Sequence, residues 1–247
     1  MFNLWAKTSG TWINIALVLL GSGCGLLLRN QLSKKMQVVI TQAVGLTTIV
    51  IGLLMSQSLT EASAGKVDGI ILALLSLVIG GLLGEWLQIE KRLSQTGDWL
   101  KARFRGGGRF TEGFVAASLL FCIGPMAILG SLNNGLLNDS TILVIKSTMD
   151  GLVSIALTGT YGVGVAFSVL PILAYQGGLS LLASALEQSI PDPAASPSVL
   201  LVTGTGGIMI LGLGINLLEI KAVRVASFLP ALALGPIVSG LARWLLT

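Results

Sequence analysis

Long uncharged apolar runs alternate along this chain with short polar ones, and the runs are of membrane length. A spanning helix needs about 20 predominantly apolar residues. Eight stretches answer to that: 10–28, 37–56, 68–88, 113–133, 141–167, 171–187, 197–218 and 224–246. The first carries Gly21 and Gly25, a spacing suited to close helix packing. The third carries Gly80, Gly81 and Gly84 and ends at Glu85-Trp86. The fourth is free of charge from 114 to 132 and is interrupted by Gly124-Pro125. The fifth holds Lys146 and Asp150, after which no charge appears from Gly151 to Leu186. That uncharged run is too long for the rest of one helix. Pro171 and the preceding Ser168 therefore predict a tight reversal, followed by a sixth helix interrupted at Tyr175-Gln176-Gly177-Gly178. The seventh is rich in glycine, and the eighth carries a second Gly-Pro pair, Gly235-Pro236.

The intervening segments read as loops. Asn133, Asn134 and Asn138-Asp139 predict a corner, and Pro191, Pro193 and Pro197 an exposed loop over 188–198. Residues 89–105 differ. Ile89, Leu93, Leu100 and Phe104 lie along a helical stripe, with Lys91, Arg92, Lys101 and Arg103 elsewhere and Trp86 and Trp99 suited to headgroup level. This reads as an interfacial amphipathic helix or as a solvated connector between two membrane halves. The run at 8–28 is too long for a signal-peptide core and lacks a cleavage site, so it reads as the first membrane helix.

Loop charges test the count. Arg29, Lys34 and Lys35 follow the first helix, and Lys91, Arg92, Lys101, Arg103, Arg105 and Arg109 follow the third. Lys221 and Arg224 follow the seventh. The alternate loops carry Glu61, Asp68, Asp139, Glu187 and Asp192 against Lys66. Eight spans with both termini non-cytoplasmic put the basic loops on one side, as the positive-inside rule asks. If 171–187 is re-entrant, the count is seven. The expected architecture is thus all-α, a polytopic transmembrane helix bundle forming a single integral membrane domain over 1–247. It comprises a three-helix half at 1–88, a basic linker at 89–109 and a five-helix half at 110–247.

Composition supports this class. The 247 residues are 53% hydrophobic and 11% charged, with mean hydropathy +0.87. Soluble domains carry about 25% charged residues. No histidine is present, which removes His-based acid–base chemistry and His metal ligation. No enzyme activity, metal or cofactor is expected. The net charge of +4 is concentrated in loops and speaks of membrane orientation rather than nucleic acid. Cys24 and Cys122 read as small core residues.

Three stretches carry internal similarity in the same order: 13–25 with 153–164, 40–53 with 202–215, and 82–87 with 240–245. The second equates Gly45 with Gly207 and Gly52 with Gly214. A repeat of this kind places a site between halves.

Asp150 lies about nine residues into its helix, roughly 14 Å from the start and near the midplane, with Lys146 one turn earlier on the same face. Such charges are expensive in a bilayer and mark an ion or proton site, or else a mutually neutralising pair that fixes packing. Gly124-Pro125 frees backbone carbonyls to coordinate a substrate, or simply kinks the helix. Tyr175 and Gln176 offer a hydroxyl and an amide, and Asn14, Gln42 and Asn216 are further intramembrane amides. Each amide serves as interhelical glue or as a ligand contact. The candidate site is Asp150, Lys146, Gly124, Pro125, Tyr175, Gln176, Asn14 and Asn216.

Gly10-Thr11-Trp12-Ile13-Asn14, Gly84-Glu85 with Ile89-Glu90, the run 111–131, Lys146-Ser147 with Asp150-Gly151, the run 154–157 and Tyr175-Gln176-Gly177-Gly178 carry a resemblance. Together they resemble the YdfK/YqgA-like bacterial membrane proteins, the family of domain of unknown function 554, over nearly the whole chain. Ser33 departs from a proline expected in the first basic loop. The resemblance implies a bacterial inner-membrane protein of unassigned role, transport being one reading of it, and supplies neither substrate nor mechanism. The residues favour a small secondary transporter or permease for an ion or small polar solute. The alternative is a non-transporting scaffold or sensor acting through 89–109. The expected partners are the lipid bilayer, an unknown solute or ion and a second copy in a homo-oligomer.

Overall fold

The computed structural model describes residues 4–29, 31, 33–62, 67–185 and 197–246, with the backbone alone at 125, 185 and 242–246. Among them are helices and no strand. After a turn of helix at Leu4–Lys7 come α1 (Ser9–Arg29), α2 (Lys34–Ser56), α3 (Gly69–Trp86), α4 (Ile89–Arg103), α5 (Phe110–Cys122), α6 (Pro125–Leu137) and α7 (Thr141–Tyr161). The span Val163–Ser184 is α8, followed by α9 (Pro197–Leu217) and α10 (Leu229–Leu246). Six of these, α1, α2, α3, α7, α8 and α9, are long and apolar enough to cross a membrane. The pair Phe110–Cys122 and Met126–Leu137, bent by 58°, makes a seventh if taken as one span. At the expected eighth stretch the apolar helix Val225–Leu241 is shorter.

On α1 and α3 the burial pattern runs opposite to that of a water-soluble helix. The buried face of α1 is Gly10, Thr11, Asn14, Val18, Gly21, Ser22 and Gly25, while Leu19, Leu20, Leu27 and Leu28 are exposed. Likewise α3 buries Gly69, Ala73, Ser76, Gly80 and Gly84, with Leu72 as its one large buried side chain, and exposes Ile70, Leu74, Val78 and Leu82. Small and polar residues inward with large apolar residues outward is what a hydrocarbon solvent selects.

The helix ends have local causes. Asp139 accepts the Thr141 backbone N–H at 2.9 Å at the start of α7, and hydrogen bonds from Thr141 hold its carboxyl below the ordinary carboxylate range. Expected to run to 167, α7 instead stops at Tyr161, because Gly162 takes φ 87°, a backbone that side chains rarely permit. The reversal expected at Pro171 is therefore made at Gly162. Pro171 sits inside α8, which opens with a 3-10 turn at Val163–Ser168. The expected interruption at Tyr175–Gly178 is a π-turn, Leu173–Gly177, running directly into helix from Gly178. Asn133 and Asn134 lie within α6, and the corner is made at Asn138, with φ 58°. Cys24 is exposed rather than core, while Cys122 is buried.

The chain forms two compact units, each drawing on segments from both sides of 89–109. The first comprises Met1–Val44, Ser94–Cys122 and Met126–Pro191, and the second Gly45–Leu93, Ile123–Pro125 and Asp192–Thr247. In the first unit α1 and α7 run parallel in near backbone contact. A Cβ on Gly21 would lie 2.1 Å from the Gly151 carbonyl oxygen, and one on Gly25 2.5 Å from that of Ile155. In the second unit α2 and α9 run antiparallel, with Gly52 against the Gly207 carbonyl and Gly214 against that of Gly45. The sequence similarity that equates Gly45 with Gly207 and Gly52 with Gly214 interchanges these two contacts. The same holds for α3 and α10. Gly80 meets Ala231, and Val238 packs on the cluster containing Ala73. The match of 82–87 with 240–245 equates Gly80 with Val238 and Ala73 with Ala231. Both helix pairs in this unit thus have the pairing of an inverted repeat.

A polar clamp closes the second unit beside α3. Arg224 pairs with Glu85, Ser227 Oγ donates to Glu85, and Glu90 accepts the Ala226 N–H at 2.9 Å. Burial pushes the Glu90 carboxyl above its ordinary 4.5, against hydrogen bonds from Ala226 and Ser227 and the Arg224 charge, which pull it down. The folded state therefore binds this proton more tightly than the unfolded chain, so stability from Glu90 grows as pH falls from neutral toward 4.5 and is lost as pH rises. In detergent, acidification through that window is expected to raise the thermal midpoint of the wild type more than that of Glu90→Gln.

Glycine contacts yield a second prediction. Gly21→Val places a side chain where a carbonyl already lies and is expected to cost about 1–3 kcal/mol, or to abolish folding. Gly23→Ala, with nothing within 4 Å of its Cβ, is expected to be neutral or to stabilise by up to about 1 kcal/mol. Thermal unfolding of the two variants in one detergent compares them.

Candidate functional site

Four of the candidate residues meet in the first unit. Asp150, about 14 Å along α7, accepts from Lys146 one turn earlier. Asn14 of α1 donates through Nδ2 to Asp150 Oδ2 at 3.0 Å and to Gln176 Oε1, also at 3.0 Å. Gln176 comes from the π-turn of α8. Asn14 and Gln176 are 0% exposed, and the Lys146 and Asp150 side chains 8% and 12%.

Each element delivers its residue for a reason visible in the chain. Asn14 lies on the buried face of α1 with Gly10 and Gly21, so the backbone contact between α1 and α7 brings it to Asp150. Ser147 and Ser154 of α7 spend their hydroxyls on the carbonyls of Leu143 and of Val18 and Gly151, leaving Lys146 and Asp150 to each other and to the amides. The π-turn widens α8 by one residue where Gln176 stands, a departure found often at functional positions.

The cluster is neutral overall and incompletely bonded. Among the described residues, Asn14 Oδ1 and Gln176 Nε2 are buried without a hydrogen-bond partner. An unmet buried polar group costs about 1–3 kcal/mol, so such atoms mark strain or a missing partner. Cys122 lies within electrostatic range of both charges.

Among the described residues, no other candidate hydrogen-bonds to this cluster. Half-buried Tyr175 makes no hydrogen bond to it among the described residues. Gly124 belongs to the second unit, where a Cβ would meet nothing within 4 Å, and with the backbone of Pro125 it marks the 58° bend. Asn216 in that unit spends its amide on Val223, donating to its carbonyl at 2.8 Å and accepting its N–H at 2.7 Å, which fastens the turn after α9.

Two buried groups escape the sequence reading. Asn134 accepts the Gly10 N–H at 2.9 Å and donates to the Ala6 carbonyl and Ser9 Oγ, fastening the start of α1. Its place in an Asn-rich segment disguises it as a turn residue. Lys7 is buried and donates to the Leu136 carbonyl at 3.4 Å. It stands at the edge of an apolar run, where nothing distinguishes it from a flanking charge.

The ion pair makes a thermodynamic prediction. Lys146→Gln or Asp150→Asn alone strands a buried charge and is expected to cost about 3–5 kcal/mol, while the double variant recovers most of the loss. A double-mutant cycle on thermal midpoints in detergent reads the coupling.

Comparison with known proteins follows this geometry. The family model described as "Protein of unknown function (DUF554)" matches residues 9–240. The chain is 32% identical over 230 residues to "Uncharacterized membrane protein YdfK" of Bacillus subtilis (strain 168), covering 93% of this chain and 94% of that one. It is 28% identical over 243 residues to "Uncharacterized protein YqgA" of Escherichia coli (strain K12), covering 95% and 98%. No solved structure matches. With its apolar helices and a match across nearly its whole length, the chain is a membrane protein that belongs to the DUF554 family.

Proposed function

We propose that this protein is a small secondary transporter or permease for an ion or small polar solute, working through Asp150 and Lys146. The observation that carries this reading is the buried pair itself. Ionisable residues inside spanning helices are rare, and where they persist they mark substrate paths and proton relays. Here the pair joins two amides from two other helices, one of them set in a π-turn. In this reading Asp150 exchanges Lys146 for a proton or cation during the cycle, and Lys146 is the internal competitor that keeps the empty site neutral. The chain acts as a permease and not as an enzyme. It sits in the inner or plasma membrane with both termini non-cytoplasmic, an orientation drawn from the basic loops at 29–35, 91–109 and 221–224.

One observation favours a second reading, a non-transporting scaffold or sensor acting through 89–109. Trp99 and Phe104 are exposed alongside exposed Lys91, Arg92 and Arg103, a surface suited to the headgroup region.

Proteoliposomes separate the two. With an imposed proton or cation gradient and a trapped pH- or cation-sensitive dye, the wild type is expected to dissipate the gradient. The Lys146→Gln/Asp150→Asn variant, which leaves no lone buried charge, is expected to stay inserted and lose that flux. Undiminished flux through the double variant would sink the Asp150 mechanism. If no solute or ion moves, while deletion of 89–109 abolishes the cellular phenotype, the scaffold reading stands instead.

A further inference from the structure

The unmet valences around the ion pair point to what the site takes. Asn14 and Gln176 face each other as two amides, but only one hydrogen bond joins them, from Asn14 Nδ2 to Gln176 Oε1. This bond uses one end of each amide. The other ends, an acceptor on Asn14 Oδ1 and a donor on Gln176 Nε2, are buried and unpartnered. Reversing either amide would not help: a turned Asn14 would set its oxygen against the Asp150 carboxylate, and a turned Gln176 would set its Nε2 against the Asn14 Nδ2 donor.

Two more unmet hydroxyls stand one turn from these amides along the same two helices. Thr11 Oγ1 is one turn before Asn14 on α1, and Ser180 Oγ one turn after Gln176 on α8. Both residues are 0% exposed. Thr11 and the π-turn are neighbours, since its Cγ2 lies 3.8 Å from where a Gly177 Cβ would stand. Four buried groups on two helices thus offer one acceptor, one donor and two hydroxyls able to do either. Four unmet groups together cost several kcal/mol unless something supplies partners.

Charge selects among occupants. Asp150 and Lys146 already neutralise each other. A cation or anion beside the neutral pair would bring an uncompensated charge into low dielectric, a cost of several kcal/mol. An uncharged solute with a donor and an acceptor meets the open valences without that penalty. The geometry points to a binding site, formed by Asn14, Gln176, Thr11 and Ser180, for a small uncharged hydrogen-bonding solute of the amide, urea or polyol class. The solute's carbonyl or hydroxyl oxygen accepts from Gln176 Nε2, and its N–H or O–H donates to Asn14 Oδ1. This rests on the permease reading above and names the cargo class. Asp150 and Lys146 then serve to hold Asn14 in place, or carry a coupling ion.

The test uses osmotic swelling of proteoliposomes by stopped-flow light scattering, with urea, acetamide and glycerol as uncharged probes and sodium and potassium salts as charged ones. Wild-type vesicles are expected to admit at least one uncharged probe about tenfold faster than empty vesicles. Gln176→Met and Asn14→Leu, each removing one open valence, are expected to lose about tenfold in that rate, the worth of one hydrogen bond. Thr11→Val and Ser180→Ala, smaller changes less apt to disturb folding, are expected to shift selectivity among the three probes. Size-exclusion profiles in detergent establish that each variant is folded. Flux of cations or protons with no uncharged probe admitted would overturn this inference and leave the permease reading intact. Unchanged uncharged flux in all four folded variants would overturn the site. No flux of any class would overturn both.

Discussion

Hydrocarbon offers no hydrogen bonds, so every polar group within a span must find its partner in the protein. The rest of this structure depends on that constraint. Lys146 and Asp150 can stand inside α7 because they face each other and because Asn14 reaches across from α1. Asn14 can reach because nothing larger than a hydrogen separates the two backbones at Gly21 and Gly25. The glycines therefore do more than permit close packing. They set the distance at which one amide can serve a carboxylate and a second amide at once.

The same constraint orders the remainder of the first unit. Serine hydroxyls on α7 turn back to carbonyls of their own helix or of α1, which leaves few donors competing for Asp150. Asn134 meets the unbonded backbone at the start of α1 and so positions the helix that carries Asn14. Its loss would be felt at the charge pair although it touches neither charge. Among the buried polar atoms that stay unmet are the free ends of the two amides at the pair, Asn14 Oδ1 on α1 and Gln176 Nε2 on α8. A core with no other role would pair them or replace them with apolar groups of the same shape.

Much of this was legible in the chain. Run length and composition give the helical membrane class, because a bilayer sets the length of an apolar run directly. The Lys146–Asp150 pairing follows from its spacing of four residues. The meeting of Asn14 and Gln176 with that pair did not follow, since it depends on which helix faces mate, and spacing along one helix is silent about its neighbour. Gly162 was missed as a helix end because it stands among many helical glycines. Pro171 looked like a reversal because a proline's local preference says nothing of the 3-10 turn that accommodates it. Asn216 looked like a site amide but binds its own turn, an economy that the sequence does not distinguish from ligand binding.

The interchange of contacts in the second unit has an energetic corollary. Where two helix pairs are related by an approximate two-fold, any displacement of one half has a counterpart in which the other half moves and the contacts trade places. For perfectly equivalent halves the two arrangements would be degenerate. Here the degeneracy is lifted only by differences between equated residues, such as Gly80 against Val238 or Gly84 against Ala242. Where equated residues differ most, as Gln42 against Gly204 or Glu85 against Arg243, the two arrangements part in energy, and those positions set which one the unit keeps.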